Sequence, residues 1–365
     1  MKLVSLIFLC ANLAIAESAM FRGAPNLPGT VAGKLAEKFS LAWSFECEGP
    51  LRGSPVLVGE RLIFGSQDMH VYAVNARDGK QAWKFATEGP IEATPLVIDE
   101  TVYIGSGDGF LYALELATGK QKWKYETEDQ ILGSANWTKS PDGKETWIVV
   151  GSYDYFLHCV NAETGKRVWA YESSNYFNGA PAIGDGHAIL GGCDAMLHVI
   201  SVADGTAKTS VEIGSYIAGS GAIADGSFYV GHYGNAFIRA DIASGKTLWE
   251  YRDRGFPFFA APAIAGELVI VGGRDKRVHA INRKTGKRVW TFATRGKVDS
   301  SPVVCDGKVI FGSADGNVYV VSLADGSEIW SYEIGADIMG APLVANGRIY
   351  VGSDDDTLYA FDPKK

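Results

Sequence analysis

One unit of about 40 residues recurs eight times along this 365-residue chain, and that period restricts the fold before any chemistry is considered. Glycines closing the second apolar run of each unit fall at Gly65, Gly105, Gly151, Gly191, Gly231, Gly272, Gly312 and Gly352, in steps of 40, 46, 40, 40, 41, 40 and 40 residues. Such a period marks a solenoid, a propeller or a repeat array. The clearest copy reads Ser301-Pro302-Val303-Val304, Asp306-Gly307, Val309 to Ser313, Asp315-Gly316, Val318 to Val321, Asp325-Gly326, then Ile329 to Tyr332. Its apolar runs are short and rich in β-branched and aromatic residues, and its breaks tolerate the positive φ of tight hairpins. Each unit thus reads as four strands and three turns, the make-up of a propeller blade. A β-helix coil would be shorter, and a leucine-rich repeat needs a Leu/Asn ladder that this chain lacks. Third strands such as Val71-Tyr72-Ala73-Val74 are apolar on both faces, as blades sandwiched between neighbours require.

The two ends fit a closed ring. The last copy stops at Asp362-Pro363-Lys364-Lys365 without a fourth strand, while Leu41-Ala42-Trp43-Ser44-Phe45 is a fourth strand without a blade. Joining them removes the open sheet edge that an unclosed array would carry. The predicted fold is all-β: one eight-bladed β-propeller domain of four-stranded antiparallel blades over residues 41–365, closed by the N-terminal strand.

Ahead of it, Met1-Lys2 and the apolar run Leu3 to Ala16 have the charged start, hydrophobic middle and small-residue end of a secretory signal peptide. The run is too short to span a bilayer. Cleavage near Ala16 would place the chain in the periplasm or outside the cell. Cys10 is a poor lipid-anchor site, because Leu9 precedes it where a small residue is expected. Residues 17–40 read as a leader lying across the ring or as a tether. A net charge of −8 without any Lys/Arg block argues against nucleic acid or an anionic membrane surface. Cys47, Cys159, Cys193 and Cys305 fall at unrelated levels of different blades, which favours buried thiols over a disulfide framework.

A second series lies in the fourth strand. Trp83, Trp123, Trp169, Trp249, Trp290 and Trp330 each follow a turn glycine by four residues, with Trp43 in the N-terminal strand; one copy carries Thr209 instead. Each ring is expected to pack on backbone near the glycine of a neighbouring blade, locking blade to blade. Together with the Gly-Ser-x-Asp-Gly hairpins, this constellation resembles the tryptophan-docked repeats of the pyrroloquinoline quinone (PQQ)-like β-propeller family. That family holds quinoprotein dehydrogenases and also non-enzymatic, BamB-like envelope proteins of outer-membrane assembly, so the resemblance leaves function open. For the dehydrogenases it implies a catalytic Asp, calcium ligands and, in many members, a disulfide between adjacent cysteines. This chain has no Cys-Cys pair, and its largest insertion, Lys139 to Lys144, adds only six residues. No cofactor or metal is therefore expected; PQQ with calcium belongs to the alternative.

The repeat also accounts for most residues that look chemical. Asp68, Asp108, Asp154, Asp194, Asp275, Asp315 and Asp355 are one position repeated around the ring, suited to closing an Asx-turn. His158, His198 and His279 share a third-strand slot with Tyr72, Tyr112, Tyr319 and Tyr359, where an amphipathic ring fits between blades. No metal spacing or Ser/His/Asp nucleophile arrangement is legible.

Function is then sought where repeats disagree. On the face formed by the loops into the first strands and by the hairpins between strands two and three, four successive blades carry Tyr153, Tyr155, Phe156, Tyr176, Phe177, Asn178, Tyr216, His232, Tyr233, Arg252, Asp253, Arg254, Phe256, Phe258, Phe259, Arg274, Lys276 and Arg277. The matching hairpins Gly107-Asp108-Gly109 and Ala314-Asp315-Gly316 are bland. Aromatics and Arg are enriched at binding hot spots. From this set Tyr153, Tyr155, Tyr176, Tyr216, His232, Tyr233, Arg252, Arg254, Phe256 and Arg274 are the candidate partner- or ligand-binding residues. The leading expectation is an exported, monomeric, non-catalytic scaffold that binds a protein or peptide in the cell envelope, with outer-membrane protein assembly as the implied setting. A PQQ- and calcium-dependent dehydrogenase, a carbohydrate-binding propeller, and mere packing of the rings on one another remain open alternatives.

Overall fold

In a computed structural model, residues 19–364 are described; residues 1–16, read above as a signal peptide, lie outside them. Each repeat folds as a meander in which every strand pairs antiparallel with the next, because the Asp-Gly and Thr-Gly breaks allow only tight hairpins. Blade 1 comprises Val56–Val58, Arg61–Gly65, His70–Asn75 and Gln81–Ala86. Blades 2 to 7 cover 96–126, 136–172, 182–212, 222–251, 263–293 and 303–333 in the same way. Blade 8 is completed from the other end of the chain: Phe39–Glu46 pairs with Thr357–Pro363, placing Leu41 opposite Phe361 and Phe45 opposite Leu358. All described regular elements are strands, and no helix is long and apolar enough to cross a membrane.

Burial follows position in the blade. Second and third strands, such as Leu62-Ile63-Phe64 and Val71 to Val74, are wholly buried between neighbouring blades, whereas fourth strands alternate and meet solvent. Every junction of third and fourth strand also carries a one-residue register shift just before the Trp position, as between Ala73 and Val74. A bulge adds local twist. It leaves Val168, Leu248 and Val289 exposed and lets the next residue, Trp169, Trp249 or Trp290, reach the adjoining blade.

The Trp contacts have one geometry. Trp43, Trp83, Trp123, Trp169, Trp249 and Trp290 lie over Gly79, Gly119, Gly165, Gly205, Gly286 and Gly326 so closely that a Cβ there would sit 2.6–2.8 Å from the indole. These glycines also have φ between +68° and +74°, so a side chain is refused twice. Each indole N–H donates across the junction to a carbonyl, 2.9–3.2 Å away: Ala76, Leu116, Ala162, Val202, Arg283 and Leu323. Trp330 differs, since its neighbour is the ring-closing strand; it packs edge-on to Phe39 and Phe361 instead. At the Thr209 junction Gly245 is kept, but only methyls of Thr209 and Val211 cover it. An open groove of about 360 Å³ lined by His187, Val199, Thr209 and Ile242 runs beside them.

The leader is a belt around the inside of the ring. The carbonyls of Ala19, Pro25, Asn26, Pro28 and Gly29 accept the N–H groups of Val97, Ile183, Ile223, Ile264 and Val304 in the innermost strands of blades 2, 4, 5, 6 and 7. Thr30–Val31 then adds a parallel fifth strand to blade 7, against Val304 and Cys305. The belt thus answers inner-edge donors that would otherwise face the axis unpaired. All four described cysteines are free thiols, and burial pushes each thiol up, away from the reactive thiolate.

Candidate functional site

One hydrogen bond repeated eight times builds the candidate face. The hairpin between strands two and three donates to the loop that enters the same blade: Gln67 to Pro50, Gly107 to Pro90, Tyr153 to Gln130, Cys193 to Tyr176, Tyr233 to Tyr216, Arg274 to Pro257, Ala314 to Lys297 and Asp354 to Asp337. Loop and hairpin therefore move as one, and side chains from both project from one rim.

The recurring Asp reinforces this contact. One Asp68 oxygen closes the hairpin at the His70 N–H, and the other accepts from Glu48 N–H and, at 2.6 Å, from the Tyr72 hydroxyl. Burial alone would raise the Asp68 carboxyl, but the bonds from Tyr72, Glu48 and Ser66 hold it below the usual range. Asp108 with Tyr112, Asp315 with Tyr319 and Asp355 with Tyr359 repeat the pair. Where the slot holds histidine, Nε2 meets the Asp and Nδ1 meets a phenol of the preceding blade: Tyr125 for His158, Tyr171 for His198 and Tyr251 for His279. Where it holds Tyr72, Tyr112 or Tyr319, the facing ring is Phe45, Phe85 or Phe292, with no second polar atom to satisfy. The recurring Asp, His and Tyr are thus a structural set.

Blade 5 departs from it. Gly234 replaces the Asp and Ile238 the slot ring, while His232 stands where most blades have serine. His232 is buried, and its Nδ1 accepts the Gly234 N–H at 3.1 Å, the bond that Ser66, Ser106, Ser152 and Ser313 make with their Oγ. The structure therefore gives His232 a turn-closing contact beneath the rim rather than a place on its surface.

The other candidates form the rim itself. Tyr153 and Tyr176 stack with centroids 4.6 Å apart and planes 5° from parallel, and Tyr155 leans on Tyr176 at 6.1 Å. The Tyr153 hydroxyl donates to Asn178, whose amide donates to the Ala218 carbonyl, and burial pushes that phenol up to about 12. Tyr216 meets Tyr233 edge-on, Tyr233 packs on Phe259 at 4.4 Å, and the Arg274 guanidinium covers Phe259 at 4.1 Å. Asp299 fixes Arg274 by two bonds of 3.0 and 2.9 Å. Arg252 binds Glu250 and the Gly234 carbonyl, while Arg254 and Phe256 project from an exposed turn. Five aromatic side chains stand exposed on this arc: Tyr155 at 45%, Tyr176 at 37%, Tyr216 at 57%, Tyr233 at 49% and Phe256 at 48%. They are the only exposed aromatics among the described residues, so the asymmetry is one of surface and not only of sequence. Phe177 and Phe258, by contrast, are core.

The arc borders the axial channel, a cup of about 290 Å³ with Asn178, Phe259 and Asp299 in its walls and Phe21 of the leader at its floor. Its mouth carboxylates are neutralised in place. Arg52 spans Glu92 and Asp354, and Asp299 binds both Arg274 and Lys297. A calcium ion needs six to eight oxygen ligands, several of them carboxylate. Carboxylates committed to guanidinium groups do not supply that set, so these residues do not fit a calcium-held quinone. The cluster Asp253, Asp275 and His279 lies within 4.8 Å of itself; Tyr251 meets His279 and Arg288 meets Asp253, while among the described residues the buried Asp275 Oδ2 has no hydrogen-bond partner and Arg277 approaches it only to 4.0 Å.

Eight four-stranded blades locked by tryptophan define a PQQ-like β-propeller. Residues 35–140, 132–212, 209–337 and 274–365 each match the family described as outer membrane protein assembly factor BamB, so the chain belongs to that family. The fold of BamB from Moraxella catarrhalis superposes with a TM-score of 0.74 at 22% identity, covering 89% of this chain and 98% of that one. Quinohemoprotein alcohol dehydrogenase from Comamonas testosteroni superposes with a TM-score of 0.81 at 14% identity, covering 96% and 82%. A 77-residue stretch, 20% of this chain, is 38% identical to quinoprotein ethanol dehydrogenase of Pseudomonas putida, and it spans 12% of that enzyme's length.

Proposed function

We propose that this chain is an exported, non-catalytic propeller that docks a protein or peptide partner in the cell envelope through the arc from Tyr153 to Arg274. The observation that carries the reading is the confinement of every exposed aromatic among the described residues to one side of one rim. Stacked, hydrogen-bonded rings such as Tyr153 and Tyr176 present apolar area with little conformational entropy left to lose, as binding hot spots do. Membership of a family described by its part in outer-membrane assembly supports the periplasm as the setting. Replacing Tyr176, Tyr216, Tyr233 and Phe256 together with Ala should abolish partner capture while leaving the melting temperature within a few degrees. Unimpaired capture by that folded variant rejects the assignment.

A quinoprotein dehydrogenase is the second reading, favoured by the short similarity to quinoprotein ethanol dehydrogenase. Titrating the protein with PQQ and calcium separates the two, because a ligand specific to the folded state must raise its stability. Bound-quinone absorbance with thermal stabilisation supports the enzyme; neither signal supports the scaffold.

A further inference from the structure

The Thr209 junction keeps every part of the tryptophan dock except the tryptophan. Gly245 has a φ of +67°, and its N–H donates to the Asp241 carbonyl at 2.9 Å, as Gly79 donates to Asn75 and Gly205 to Ser201 at the same distance. The Ile242 N–H is held by the Gly226 carbonyl at 3.0 Å, matching Leu116 on Glu100 and Val202 on Gly186. A turn fastened at the same two points aims the same carbonyl across the junction. In the six docked junctions that carbonyl accepts an indole N–H, but among the described residues nothing donates to the Ile242 carbonyl.

The space follows the same logic. Only the methyls of Thr209 and Val211 reach Gly245, so the volume beyond them is left open as the groove of about 360 Å³ between Val199, Thr209, Ile242 and Ala243. Val199 lies directly opposite Thr209 in its ladder, as Ala73 lies opposite Trp83 and Cys159 opposite Trp169, so the walls are those of the other docks. An engineered apolar cavity of roughly 150 Å³ holds benzene, and this groove has room for a bicyclic ring. It opens between the first hairpins of blades 4 and 5, at Asp185 and Gly226, on the face away from the aromatic arc. We propose that the Thr209 junction is a binding site for an indole ring from outside the chain, packed on Thr209 and the 242–245 turn with its N–H on the Ile242 carbonyl. The six internal tryptophans identify the ligand, since each seats an indole on the same turn with the same bond. Free indole and the tryptophan side chain of a partner share that chemistry.

Brominated indole is the probe. Crystals of the native protein soaked in 5-bromoindole should show an anomalous bromine peak in the groove beside Thr209. In solution, indole should raise the melting temperature of the native protein saturably, because it binds only the folded state. At equal concentration 1-methylindole, which cannot donate, should raise it less, and Thr209→Trp, whose own indole fills the place, should not respond. N-acetyltryptophanamide separates the two sources: tighter binding than free indole assigns the site to a partner's side chain, and weaker binding assigns it to the free ring. No bromine peak in the groove, a response to 1-methylindole equal to that of indole, or an equal response in Thr209→Trp overturns the proposal. The crystallographic arm needs only the native chain and stands whether or not Thr209→Trp folds.

Discussion

The Tyr251 hydroxyl lies 3.0 Å from Nδ1 of His279, whose Nε2 lies 3.0 Å from Asp275. Hydroxyl, imidazole and carboxylate in line suggest a catalytic triad, but Tyr251 and His279 are buried at a blade junction, and two other junctions repeat the arrangement. A nucleophile must meet substrate, which these phenols do not. The pairing is instead a rule of hydrogen-bond satisfaction: a slot histidine has a second ring nitrogen, so it faces Tyr, and a slot tyrosine has none, so it can face Phe.

That rule predicts coupling. Tyr251→Phe should cost about 1–3 kcal/mol by leaving a buried nitrogen unpaired. His279→Tyr added to it should recover most of the loss, because Phe facing Tyr is the arrangement of Phe85 and Tyr112. Urea denaturation of the single and double variants measures the cycle, and additive losses would contradict the rule.

The Thr209 junction should be improvable. Thr209→Trp places an indole over Gly245 and within reach of the Ile242 carbonyl, as in the other junctions, and should raise the melting temperature. Trp249→Ala at the next junction should cost about 3–5 kcal/mol. Hydrogen exchange should find the faster-opening amides of the native protein at the blade 4–5 boundary.

Tyr155 trades stability for surface. Its φ of +76° is the left-handed conformation that this hairpin position demands, and Gly109 and Gly316 hold the same position in blades 2 and 7. Bulky residues adopt it at a cost of order 1–3 kcal/mol. Tyr155→Gly should therefore leave stability unchanged or higher while weakening partner capture, a split that calorimetry and a pull-down together detect.

Acid should weaken blade 5 through His232. Burial lowers this histidine below its ordinary 6.5; Glu250 opposes the shift and Arg252 adds to it. The unfolded chain then takes up the proton first, so stability falls as pH drops from about 6.5 to the folded value and is constant below that. His232→Ser, the residue of most other blades, keeps the turn bond and should flatten this part of the pH–stability curve.

Architecture was legible because the period, the strand-closing glycines and the two incomplete ends each restrict the same ring. Repetition also exposed the Asp and His positions as structural, though not the phenol that each histidine meets, since that Tyr lies on the preceding blade, 27 to 33 residues away. His232 looked like a surface residue because its alignment with turn serines was hidden by the change of residue type. A leader lying across the ring was one of the two readings of residues 17–40, but its individual bonds to five blades were not legible, because the leader is not part of the repeat.

The central claim is that the aromatic arc, and not the rest of the rim, meets a partner. A photo-reactive residue placed at Tyr216, and in a second strain at Ala314 on the bland side, tests it in living cells. The arc position should give a discrete adduct with an envelope protein that the Ala314 position does not give. Equal adducts from both positions, or none from Tyr216, would contradict it.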